Sequence, residues 1–158
     1  MAGFLTKEHA TVQIVDGAGA GLTVSDVGDF TFDSIQHNEA PAVAIMHRKR
    51  FVAYVHGDQA AHTFSFSGTV KSNELRNASS KTIFDAVLKT GAWSAATTTN
   101  PGGDGPMTYT IVYATVLGGK ASTVNLTNAY LTASLNESGD ALVISVSGMA
   151  YGLTATEG

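Results

Sequence analysis

Cysteine is absent from the 158 residues, which rules out a disulfide framework and any thiolate metal site. Charge is scarce as well: Asp, Glu, Lys and Arg together make up 14 % of the chain, against roughly 25 % in typical soluble domains. No apolar run approaches the ~20 residues of a spanning helix, and the opening Met1–Glu8 lacks the apolar core of a signal peptide. The expectation is a chain made in the cytoplasm, with no membrane partner. Five histidines occur, but none in an H-x-H pair, and His9, His37 and His47 are scattered while His56 and His62 stand six apart. That spacing offers no ready metal site. No G-x-S-x-G nucleophile turn is present either, so neither catalysis nor a cofactor is expected. The net charge of −4 argues against a general nucleic-acid binder, whose phosphate contacts need a basic face.

What fills the place of charge is Ser, Thr, Ala and Gly, while hydrophobic residues reach an ordinary 44 %. A surface so poor in charge fits a protein that covers itself with other copies, or a small Thr-rich β domain with a neutral exterior. The length fits one domain with a sizeable core.

Alternation with period two dominates the chain. Val12 and Ile14 precede Leu22 and Val24 across Gly17-Ala18-Gly19-Ala20-Gly21, a turn between strands. A dinucleotide fingerprint would need a helix after those glycines, and a strand pattern follows instead. Phe30 and Phe32 share a face, Phe64 and Phe66 share another with Ser65 and Ser67 outward, and Tyr109, Ile111 and Tyr113 do the same later. The clearest hairpin runs from Tyr130–Leu135 across Asn136–Asp140 to Leu142–Gly148.

One segment breaks this period. Ile83, Phe84, Val87 and Leu88 make an apolar stripe that predicts a helix over about residues 80–90. Ser79 or Ser80 would cap its start, Gly91 would supply the left-handed end, and the helix would lie across a face or an open end of the sheets. The stretch 94–106 follows, holding two of the three prolines and no periodicity, and reads as a flexible loop. The fold class expected is mainly β: a β-sandwich or partly open barrel of about eight antiparallel strands, with one packed helix.

The most informative stretch is residues 40–58, two apolar runs meeting at His47-Arg48-Lys49-Arg50. Three of the nine Lys and Arg residues sit at that one tip of an acidic chain. Such a tip admits three readings: a nucleic-acid contact, a plain solvated turn, or a docking element. The first lacks flanking aromatics beyond Phe51 and Tyr54, whereas docking also explains why Ala42, Val43, Ile45 and Met46 lead up to the charges. Asp26, Asp29 and Asp33, with Asp16, form the early acidic group. They sit among turn residues where solvated acids are ordinary, and would suit the basic tip of a second copy.

In order along the chain, an N-terminal arm (1–9), the protruding hairpin (40–58), HTFSFSGTV, the lone helix and the closing YLTASLNESGDALVISVSGMAYG resemble the tail tube (major tail) proteins of long-tailed bacteriophages. Those are similar in fold to the tube protein of type VI secretion. The resemblance is one of layout over nearly the whole chain, and the 94–106 loop has no counterpart in it. It implies a single tail-tube-like β domain over 1–158, a virion structural protein assembled in the host cytoplasm. Hexameric rings of the chain would stack into a hollow tube, conducting DNA during ejection without binding it. Tape-measure and other tail proteins would be further partners. Phe4, Leu5, Ile45, Met46, His47, Arg48, Lys49, Arg50 and Phe51 would make contacts between rings or subunits. Asp26, Asp29 and Asp33 would face their cationic partners or the lumen. The rival readings are another virion structural protein, either a capsid decoration protein or a tail terminator, and a carbohydrate-binding β-sandwich.

Overall fold

The computed structural model describes residues 7–19, 21–25, 30–70, 81–103, 105–117, 119–139 and 141–157. Among them run ten strands and one α-helix: β1 (Lys7–Val15), β2 (Gly21–Ser25), β3 (Phe30–Gln36), β4 (Ala42–His47), β5 (Arg50–His56), β6 (His62–Val70), α1 (Ile83–Leu88), β7 (Tyr109–Leu117), β8 (Lys120–Ser138), β9 (Ala141–Ala150) and β10 (Leu153–Glu157). All pairings are antiparallel. Strands join in the order β2-β1-β7-β8-β9-β6-β3, with β10 also on β8, and the sheet does not close into a barrel. The expected sandwich with one helix is therefore the observed architecture.

The strand β8 makes this arrangement possible. Its first half pairs with β7 and β10, its second half with β9, and between the halves Asn128 takes a positive φ of 52°. Asparagine tolerates that conformation better than most side chains, and the skipped register there bends one strand from one layer into the other. Alternating side chains then face each other across the two layers. Ile14, Ile111 and Leu126 form one buried row, and Phe66, Val146 and the half-buried Ala133 form another. Phe32 closes the gap between layers, 5.7 Å from the Phe66 ring and 4.7 Å from Tyr113. A bulge leaves Asp33 unpaired on β3 and so restores Ile35 to the inward face opposite Phe64. Gly148 on β9 has no room for a side chain, because a Cβ there would overlap the Tyr130 carbonyl and press on the Phe64 ring.

Hydroxyls line the middle of the outward face of β3, β6, β9 and β8, with exposed Tyr130 and Met149 at one end of it. Ser34, Ser65, Ser147 and Thr132 lie in one row across four strands, and Ser67, Ser145 and Ser134 in the next. Several of them bond each other, as in Ser34–Ser65 at 3.2 Å and Thr132–Ser147 at 3.2 Å.

The helix is shorter than the periodicity implies. Thr82 caps it, its hydroxyl accepting from the Asp85 amide, and Lys89 ends it in the left-handed region at φ 58°. The serines expected to cap it, Ser79 and Ser80, lie outside the described residues. Gly91, expected as the left-handed end, also has positive φ but begins a separate 3₁₀ turn at Gly91–Trp93. Of the expected stripe, Ile83 is buried and Phe84 and Val87 pack against the core, but Leu88 is exposed, and Asp85 and Ala86 are buried as well. Two side-chain bonds hold the helix in its seat. Tyr109 donates its hydroxyl proton to the Ala86 carbonyl (2.7 Å), and Trp93 donates its indole N–H to the Thr82 carbonyl (2.9 Å). Burial, with a smaller contribution from the Asp16 carboxylate, pushes the Tyr109 hydroxyl up to about 12.

Candidate assembly surface

The strands β4 and β5 form a two-stranded sheet that pairs with no other described strand. Two-residue turns of this kind need positive φ at both central positions, and Arg48 (49°) and Lys49 (64°) adopt it despite their long side chains. The turn therefore presents consecutive cations at the very end of the arm, with His47 and Arg50 paired just below.

At its root the arm is fixed. The His37 ring stacks on His62, centroids 4.8 Å apart. The Asn38 amide N–H donates to His62 Nδ1 (2.9 Å), and the Asn38 side chain donates to the Ala61 carbonyl (2.8 Å). Gly57 N–H closes the base on the Pro41 carbonyl at 2.7 Å, and Gln59 reaches the Tyr151 carbonyl (3.3 Å).

Every residue of β4 and β5 is exposed. Val43, Ile45, Met46, Phe51, Val52, Tyr54 and Val55 stand 44–68 % in water. Free subunits rarely carry contiguous apolar patches beyond ~300–600 Å² unless those patches are functional. The sequence reading placed contacts at Ile45 to Phe51 and all of these lie on the arm. It omitted Val52, Tyr54 and Val55, whose alternating pattern reads like that of an ordinary buried strand. A second, smaller group (Tyr130, Met149, Tyr151) is exposed beside the helix end, where Lys89 stands 5.9 Å over the Tyr130 ring.

Of the other residues singled out, Phe4, Leu5, Asp26 and Asp29 lie outside the described residues. Asp33 is exposed at the β3 bulge, accepting from Ser67 at 3.4 Å, on the strand that ends the order among the described residues. The segment 94–106, read as a flexible loop, carries a set of specific bonds. Asp16 accepts from the Ala18 and Thr97 amides, Gly17 donates to Thr97, and Thr98 and Thr99 bond Thr108. Among the described residues no three of His, Asp and Glu gather as metal ligands would.

No family model matches this chain, and no curated protein matches it. Two solved structures are similar to it in fold. One is the sheath/tube terminator of PVC, an extracellular contractile injection system, in its extended state; identity is 12 %, 99 % of each chain is covered, and the TM-score is 0.58. The other is a chain of the six-fold symmetrised baseplate of the anti-feeding prophage, at 10 % identity, covering 99 % of this chain and 97 % of that one, with a TM-score of 0.54.

Proposed function

We propose that this chain is a structural subunit of a phage-tail-like particle, and that it closes an end of the tail as a terminator. The observation that carries this reading is the arm of β4 and β5: apolar on all sides, cationic at its tip, and held firmly at its root. Such an element gains its stability in an assembly, where burial of apolar area supplies the driving force and charge complementarity sets the register. The tube reading drawn from sequence gives way here to its rival. One fold neighbour over the full chain is itself a sheath/tube terminator, and the other belongs to a baseplate, which favours an end-piece over a subunit repeated along the shaft.

The role is architectural, and passage of cargo through a closed ring would be passive. A glycan-binding sandwich is less well supported, because the single Trp93 is buried against Tyr109 with its N–H bonded, and offers no platform. The test is negative-stain microscopy with mass photometry on the purified chain over a range of concentrations. Closed rings of one stoichiometry that do not elongate are the expected result. Long tubes of uniform bore would restore the tube reading, and a monomer at all concentrations would refute self-assembly.

A further inference from the structure

The arm has two apolar faces, and a bulge between Ile45 and Met46 decides which side chains share each. Val43 pairs with Val55 and Ile45 with Ala53, giving one face of aliphatic side chains. Ala44 pairs with Tyr54 and Met46 with Phe51, giving the other. Without the bulge Phe51 and Tyr54, three apart on a strand, would point to opposite sides. With it their rings lie 4.8 Å apart on one side.

We infer that the arm is inserted between two further copies of this chain, one covering the Val43, Ile45 and Val55 face and another covering the Met46, Phe51 and Tyr54 face. This rests on the assembly reading above. A single neighbour laid against a two-stranded ribbon covers one side and leaves three large apolar side chains in water on the other. Together the six side chains expose on the order of 600 Å². With backbone and tip added, that approaches the ~800 Å² one partner contributes to a standard interface, here divided between two neighbours. The chemistry of the sides differs as two separate contacts would require. The aliphatic side suits a flat sheet surface, and the aromatic and Met side suits the pockets where binding energy concentrates.

Charge identifies the occupant as the same chain. The arm holds Arg48, Lys49 and Arg50 and no acid from Ala42 to His56, so a chain of net −4 carries −7 on the remainder. Each copy thus offers an acidic body to its neighbours' cationic tips.

Absence of native cysteine permits a direct test. Val55→Cys and Tyr54→Cys, adjacent in sequence and on opposite faces, are each labelled with a photocrosslinker and assembled, and the crosslinked peptides are mapped. Val43→Cys and Met46→Cys repeat the experiment with a second pair should either first variant fail to assemble. Labels on the two faces should capture non-overlapping peptides of other copies. If both capture the same peptide, or one face captures none in particles visible by microscopy, the two-neighbour insertion is wrong while assembly stands. If no particle forms with wild-type protein, assembly and insertion fall together.

Discussion

Replacing Arg48 and Lys49 by Asn and Gly is expected to strengthen the arm of the free subunit and to weaken assembly. Both residues occupy the left-handed region, at φ 49° and 64°. An L-residue with a long side chain sits there at a cost of about 1 kcal/mol, whereas Asn-Gly is the pair that such turns favour. The double change therefore recovers on the order of 1–2 kcal/mol. The arm pairs with no other described strand, so it opens locally and global unfolding would hide the gain. Hydrogen exchange at the β4 and β5 amides reads it directly, as roughly 5- to 30-fold slower exchange. The same change removes two of the tip's three fixed cations. Assembly should then need a higher protein concentration and lose much of its sensitivity to salt. Exchange that is unchanged or faster would refute the strained-turn reasoning. Unaltered assembly would refute the docking role of the tip, whatever the exchange shows.

Two other outcomes follow from the core. Tyr109 is held protonated above its ordinary value near 10, so between pH 10 and about 12 the unfolded chain loses a proton that the folded chain keeps. Stability should fall with rising pH there by up to ~1.4 kcal/mol per unit, and urea titrations at pH 9 and pH 11 should show that slope reduced in Tyr109→Phe. Gly148→Ala forces a Cβ onto the Tyr130 carbonyl and should cost roughly 2–4 kcal/mol, seen as a lowered Tm; an unchanged Tm would mean that β8 and β9 separate there at no cost.

The strands with the sharpest alternation were legible in the sequence. Phe64 and Phe66 against Ser65 and Ser67, or Ile144 and Val146 against Ser145 and Ser147, admit only one way round on a half-buried sheet. The first half of β8 was not legible: Lys120–Ala129 mixes Thr, Asn and Ser with few apolar residues, since it lies between β7 and β10 and is mostly half-exposed. Bulges were invisible for another reason. They alter the count between partners, and nothing in the composition marks Asp33 on β3 or Val52 on β5 as the extra residue. That is why Phe51 and Tyr54, three apart in sequence, prove to be neighbours on one face. The helix end was misplaced because glycine is the usual left-handed residue, yet Lys89, two positions earlier, takes that conformation with its chain over Tyr130. The site itself was half legible. A basic knot in an acidic chain draws the eye to the tip, but exposure of both faces of the arm is a fact of tertiary structure.

The hydroxyl rows on β3, β6, β9 and β8 give the charge deficit of this chain a consequence in terms of adhesion. Ser34, Ser65, Ser147 and Thr132, with Ser67, Ser145 and Ser134 beside them, carry no charge, and the carboxylate at their margin, Asp33, is negative. A polyanion brought against this wall releases no counterions and so gains nothing by staying. The hydroxyls bond one another, as Ser34 does Ser65 and Thr132 does Ser147, so part of their bonding capacity is already taken up within the face.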